Sequence, residues 1–250
     1  MSSRTDVASR SQAIRVTSAS VHLGAMLILT FSTGVADAVG YLGLDKVFTG
    51  NMTGNVVILG MGLTGTADLP VEGPLIALFA FMAGAACGGR VLRRSESGAW
   101  TRATTSLLFV VAAAFATSSV VLGGVDVEIG SPTAYVLTAL LAAAMGLQAS
   151  VARHLAVKDV TTVVVTSTIT GLAADSRLGA AVGQPWGRRS AAIVLIGTGA
   201  GVGALLLTVS LTLSVAVPAA LTVLVATAGG LLTSKERRMR SAQKNHNRRI

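Results

Sequence analysis

Asp37 is the only carboxylate set well inside an apolar run of this chain. An ionisable side chain at membrane depth usually faces a cavity or a partner and marks a proton or ion path. Removed from water, such a carboxyl is a candidate proton carrier. The competing role is structural: near the end of a helix it would cap the amides of the element that follows. That element is unusual. VFTGNMTGNVVILG, from Val47 to Gly60, places Asn51, Thr53 and Asn55 among glycines before an apolar Val-Val-Ile-Leu. These side chains supply hydrogen-bond donors and acceptors, while Gly50 and Gly54 let the backbone break or approach closely. The N-terminus of a half-helix here would offer free amides to an anionic group. The alternative is interhelical glue, since Thr and Asn bond across helices in membranes.

In the second half of the chain Gln148 is polar within an apolar run, and Thr162 and Thr166 share a helix face at i, i+4. Asp37, Asn51, Thr53, Asn55, Gln148, Thr162 and Thr166 form the candidate substrate-binding set. Gly84/Gly88 and Gly197/Gly201 are small-xxx-small pairs of the kind that lets helices pack tightly. The run Gly197-Thr-Gly199-Ala-Gly201 imitates a dinucleotide loop but lacks the strand and βαβ setting. His22, His154 and His246 lie at span ends or in a tail, and Cys87, the single cysteine, lies in an apolar run where packing is its expected role. No metal-ligand cluster and no nucleophile–base set is evident from spacing. The expectation is neither an enzyme nor a cofactor or metal protein.

The elements that must position these residues are membrane helices. The chain has 250 residues, 52% of them hydrophobic and 12% charged, with a mean hydropathy of +0.69. A soluble domain of this size carries far more charge. Apolar segments at about 21–43, 47–63, 74–92, 104–124, 133–152, 160–174, 190–211 and 215–233 approach the roughly 20 residues that cross a bilayer, two of them falling short. Residues 1–18 read as a disordered cytoplasmic tail, 19–128 and 129–234 as two membrane repeats, and 235–250 as a basic cytoplasmic tail. Arg15, the apolar run and Ala36-Asp37-Ala38 imitate a signal peptide, but further membrane segments favour a retained first helix.

Charge sets the topology. The net charge of +9 would suggest nucleic acid in a soluble protein; here it reports orientation, because cytoplasmic loops collect Lys and Arg. If all eight segments cross, the Lys/Arg split is 13 inside to 7 outside. If 47–63 and 160–174 each enter and leave on one side, it becomes 19 to 1, with Lys46 alone outside. The second arrangement is preferred: six spans, both termini cytoplasmic and two short re-entrant elements. A shift of 113 residues places Val47, Thr49 and Thr53 on Val160, Thr162 and Thr166, and Gly84 and Gly88 on Gly197 and Gly201. Three spans per half turn the second half over, giving an all-α, polytopic 3+3 inverted repeat.

Gly34-Val-Ala-Asp37-Ala38, Tyr41-Leu-Gly-Leu and Val47-Phe-Thr-Gly-Asn51-Met-Thr53-Gly-Asn55 resemble the signature of the YoaK family. Ala144-Met-Gly146-Leu-Gln148 and Thr161-Thr162 through Thr166 to Gly171-Leu172 look like its second pattern. There the family tends to repeat Met-Thr-Gly where this chain has Val165-Thr166-Ser167. These are bacterial membrane proteins of unknown function, drawn with six spans and often described as small-molecule transporters. The resemblance implies a multi-pass protein of the bacterial inner membrane. Together with the repeat it leads to an expected transporter of a small molecule or ion, with its site between the two re-entrant elements and Asp37 as a proton-coupling residue. The alternatives are a channel-like pore and a non-transporting accessory protein. The expected partners are the lipid bilayer and a small solute, with no nucleic acid and with room for an oligomer.

Overall fold

The computed structural model describes the backbone of residues 2–65, 68–157 and 165–247, and side chains over 19–65, 68–157 and 165–234. The described residues form helices: α1 (Ser2–Gly40), α2 (Met52–Gly62), α3 (Glu72–Leu92), α4 (Arg102–Gly124), α5 (Pro132–Leu155), α6 (Val165–Ala174), α7 (Trp186–Leu207) and α8 (Leu211–Asn247). A π-helical turn, Tyr41–Asp45, follows α1. Six stretches are long and apolar enough to span a membrane: Ala19–Asp45, Glu72–Leu92, Arg102–Gly124, Pro132–Leu155, Trp186–Leu207 and Leu211–Ser234. The polar residues 2–18 and 235–247 continue α1 and α8 as helix rather than forming irregular tails. Neither stretch contains a glycine or proline to end it, and 235–247 is rich in Lys, Arg, Gln and Glu, which favour helix.

Start signals are local. Thr101 and Thr104 form a reciprocal capping box on α4. Ser131 caps α5, with Pro132 in its first turn.

Two core clusters mark the two ends of the bundle. Met26, Leu108, Val151 and Val225 belong to one; Val39, Phe115, Leu141 and Val215 belong to the other. Along α1 and α4 the first cluster precedes the second, and along α5 and α8 the order is reversed. Helix α3 runs with α5, from Ala77 in the second cluster to Leu92 in the first, and α7 runs with α1, from Ala192 to Leu207. The six spans therefore alternate in direction along the chain. That order requires the segments around α2 and α6 to start and finish at one end.

The geometry around α2 agrees. Lys46 Nζ donates to the Asp68 carbonyl at 3.0 Å, and the Asp45 carboxylate lies against Gly73. Entry and exit thus meet at the end of the bundle that carries Asp45, Asp68, Glu72, Asp126 and Glu128. The other end carries Arg90, Arg93, Arg94, Arg102 and Arg153. Helix α2 has 11 residues, about 16 Å of rise, which is half a bilayer. Around α6, α5 ends at Leu155 and α7 begins near Ala192, both in the cluster at the basic end. Arg189 on α7 forms a 2.7 Å ion pair with Asp175, which follows α6.

Helix α1 packs most extensively on α7, α3 on α5, and α4 on α8. Close approach is bought by glycine. A Cβ at Gly34 would strike the Ile196 carbonyl, and one at Gly199 the Phe31 carbonyl. In α3 and α5, Gly84 lies against the Ala143 carbonyl, Gly88 against Ser150, and Gly146 against the Phe81 carbonyl. Gly197 and Gly201 are not the packing pair of α7. Both face open space, and Gly199 and Gly203 make the contact with α1. The phase differs by two residues because Gly197, Gly199, Gly201 and Gly203 alternate along one helix, and only the fold selects a face. Cys87 is likewise exposed rather than packed.

Candidate functional site

The most apolar window of α1 is 72% buried and that of α5 is 56%, against 17% for α7, so polar groups on α1 and α5 sit at the centre of the bundle. On α1, Thr30, Thr33 and Asp37 are all buried and recur at helical spacing. Thr30 and Thr33 donate to the carbonyls of Met26 and Leu29, each at 2.8 Å.

After the π-helical turn the chain reverses at Lys46, which is left-handed with φ 47°. It then descends into the bundle. Gly50 reaches the middle of α1 and α5: a Cβ built there would lie 3.0 Å from Met145 Cε, 3.3 Å from Thr33 Cγ2 and 3.5 Å from Asp37 Oδ1. The Gly50 amide donates to Asp37 Oδ1 at 2.7 Å, and the Thr49 hydroxyl donates to the same oxygen at 3.3 Å. Asp37 is therefore the anchor of the re-entrant loop.

The remaining polar residues of the stretch divide by role. Asn55, fully buried, receives the Phe48 amide at 2.8 Å and donates to the Phe48 carbonyl at 2.7 Å. It closes the loop as a strand partner would. Asn51 caps α2, accepting from the Gly54 amide at 3.1 Å. Tyr41 stacks on Phe48 with ring centroids 4.9 Å apart, and a Cβ at Gly54 would strike the Phe48 ring. The expected free amides at the start of α2 are largely occupied: Asp37 takes Gly50 and Asn51 takes Gly54. Thr53 points outward from α2 and is exposed.

Gln148 is fully buried on α5 and donates through Nε2 to Thr33 Oγ1 at 3.1 Å, joining two helices 115 residues apart in sequence. Asp37, Asn51, Asn55 and Gln148 thus gather around one loop. Thr162 lies outside the described residues. Thr166 is exposed on α6, an element that packs on α7, and does not join this group. Among the described residues this polar cluster is built by α1, the loop before α2, and α5. Thr33 is the member that motif reading passed over; its i, i+4 spacing to Asp37 was the available signal.

A concavity of about 710 Å³ lies between α4 and α8 at the basic end, lined by Arg102, Thr105, Phe109, Thr227, Leu231 and Ser234 among others. Its hydroxyls on Thr105, Thr227 and Ser234 donate to backbone carbonyls of their own helices. Among the described residues no group of three or more His, Cys, Asp and Glu could hold a metal ion.

The family described as "Protein of unknown function (DUF1275)" matches residues 25–228, which reach into all six spans and include the residues around Asp37. The chain belongs to the DUF1275 family. A curated relative, "UPF0700 transmembrane protein YoaK" of Bacillus subtilis (strain 168), is 32% identical over 151 residues. That match covers 59% of this chain and 64% of the relative, so the chain spans just under two thirds of that protein's length. No solved structure matches. As a DUF1275 protein the chain is a multi-pass membrane protein with six apolar spans.

Proposed function

We propose that this DUF1275 protein is a transporter of a small solute or ion in the bacterial inner membrane, with its basic end and both termini cytoplasmic. One observation carries the reading: a buried carboxylate, Asp37, holds the amide of a re-entrant loop at 2.7 Å. The charge state of one residue is thereby tied to the position of the element that reaches the middle of the bundle. Protonation or ion binding at Asp37 weakens its hold on Gly50 and Thr49, and the loop moves.

An inverted repeat supplies the other half of the mechanism. Adding 112 to residues of α1 and 115 to residues of α3 converts one glycine interface into the other. Gly34 against Ile196 and Ala200 becomes Gly146 against Phe81 and Ala85, and Gly84 against Ala143 becomes Gly199 against Phe31. The swap also turns α1 on α8 into α5 on α4, and α2 on α3 into α6 on α7, all of which are contacts of the fold. Both α1 with its π turn and α5 close on a left-handed non-glycine residue, Lys46 and Ala156. Two halves related in this way can rock against each other about a central site, the usual basis of alternating access. The asymmetry is chemical: the position matching Asp37 is Ala149.

Reconstitution into proteoliposomes tests the proposal. Solute uptake should saturate and show counterflow, and Asp37→Asn should reduce it at least tenfold. Flux without saturation or counterflow would favour a channel-like pore. No flux with any solute, together with a stable copurifying partner, would favour an accessory role.

A further inference from the structure

At the basic end of the bundle α4 and α8 leave a groove of about 710 Å³ between them. Its lining follows helical spacing on both sides: Arg102, Ser106 and Phe109 on α4, and Thr227, Leu231 and Ser234 on α8. From Arg102 to Phe109 α4 rises about 10 Å, and from Ser234 back to Ala226 α8 covers about 12 Å. Arg102 opens α4, and Ser234 closes the apolar part of α8. The groove therefore runs from the headgroup level at its mouth into the outer part of the hydrocarbon layer.

The chemistry changes along that length. At the mouth stands Arg102, exposed and without an ion-pair partner among the described residues. It occupies the first turn of α4, which holds no acidic residue. A cation there opposes the positive end of the helix dipole, and an anion beside it relieves both charges. Beyond the mouth α8 continues with Lys235, Arg237, Arg238 and Arg240, against one acid, Glu236. Ser106, one turn inward of Arg102, forms no hydrogen bond among the described residues and is free to donate. Deeper in the groove the donors are already used. The hydroxyls of Thr105 and Thr227 donate to carbonyls of their own helices at 3.3 and 2.9 Å, and Trp100 Nε1 donates to Thr105 Oγ1 at 2.9 Å. Phe109 and Leu231, 41% and 72% exposed, supply apolar walls. A positive mouth above an apolar interior fits an amphipathic anion. A small hydrophilic anion would find no partner below the first turn. Basic pockets between spans at the cytoplasmic side suit anionic lipid headgroups.

We propose that the groove between α4 and α8 binds one anionic glycerophospholipid of the leaflet at the basic end, with its phosphate at Arg102 and Ser106 and an acyl chain along Phe109 and Leu231. This site goes beyond the transport reading and does not depend on it.

The test is thermal unfolding of the purified, delipidated full-length protein in detergent. It is titrated with phosphatidylglycerol, with phosphatidylcholine of the same acyl chains, and with inorganic phosphate. Phosphatidylglycerol should raise Tm with a saturable midpoint, phosphatidylcholine should need at least tenfold more, and phosphate should leave Tm unchanged. Arg102→Gln should raise the phosphatidylglycerol midpoint at least tenfold. Thr227→Trp fills the groove from an exposed position and should abolish the saturable shift; if that variant does not fold, Ser106→Trp takes its place. Arg94→Gln removes a charge from the same end but outside the groove and should leave the midpoint unchanged. The site is disproved if the two lipids act alike, if Arg94→Gln and Arg102→Gln have equal effects, or if the groove-filling variant keeps the native midpoint. A shift produced in full by inorganic phosphate would make the occupant a free anion and remove the lipid.

Discussion

The Gly50 amide lies 2.7 Å from Asp37 Oδ1, across a reversal of the chain that brings a loop residue to the middle of a membrane helix. The Thr49 hydroxyl shares the same oxygen. A charge-assisted bond of this kind is stronger than a neutral one. Replacing Asp37 by Ala would leave the Gly50 amide and the Thr49 hydroxyl without their acceptor. Asp37→Ala should destabilise the protein by about 2–4 kcal/mol, read as a lowered Tm in detergent. Asp37→Asn keeps an acceptor for Gly50 and should retain most of that stability while losing function.

Asn55 holds the loop from the other side through both the amide and the carbonyl of Phe48. Asn55→Leu is close in size but removes both bonds. A loss of roughly 1–3 kcal/mol is expected, together with faster labelling of a cysteine placed at Thr53. Unchanged labelling and Tm would mean that the Asp37 anchor and the stacking of Tyr41 on Phe48 hold the loop without Asn55.

The glycines of α7 give a phase test. Gly199→Leu should disrupt the α1–α7 contact, because even a Cβ there meets the Phe31 carbonyl. Gly197→Leu, facing open space, should be tolerated. For alanine the expected values are a loss of about 1–3 kcal/mol at Gly199 and no loss at Gly197, where helix propensity favours alanine by up to about 1 kcal/mol. Equal effects at the two positions would contradict the packing of α7.

Topology is open to cysteine labelling after Cys87, which is exposed, has been replaced by serine. Cysteines at Glu72 and Arg94 bracket α3 and should label from opposite faces of intact cells, with Glu72 outside. A cytoplasmic position 72 would place α2 across the membrane and remove the re-entrant loop.

Several of these features were legible before any coordinates. The Lys/Arg distribution predicted six spans and two re-entrant segments, and the alternation of helix directions seen in the two core clusters follows the same order. The motif around Asn51 marked the loop that Asp37 and Asn55 hold. Its individual roles were less legible: Asn55 reads like Asn51, yet one clamps the loop and the other caps a helix.

The amino-acid sequence by itself determined the solvent, the number of spans and their alternation, because apolar length and loop charge are local properties that a bilayer reads directly. Tertiary structure decided the rest. A helix rich in Ala, Gly, Val and Leu on every side carries little phase information, so rotation about its axis is settled only by the neighbour it packs on. That rotation chose Gly199 over Gly197. It also set Thr33 against Gln148 and lowered Gly50 onto Asp37, contacts between residues whose spacing in the chain does not announce them.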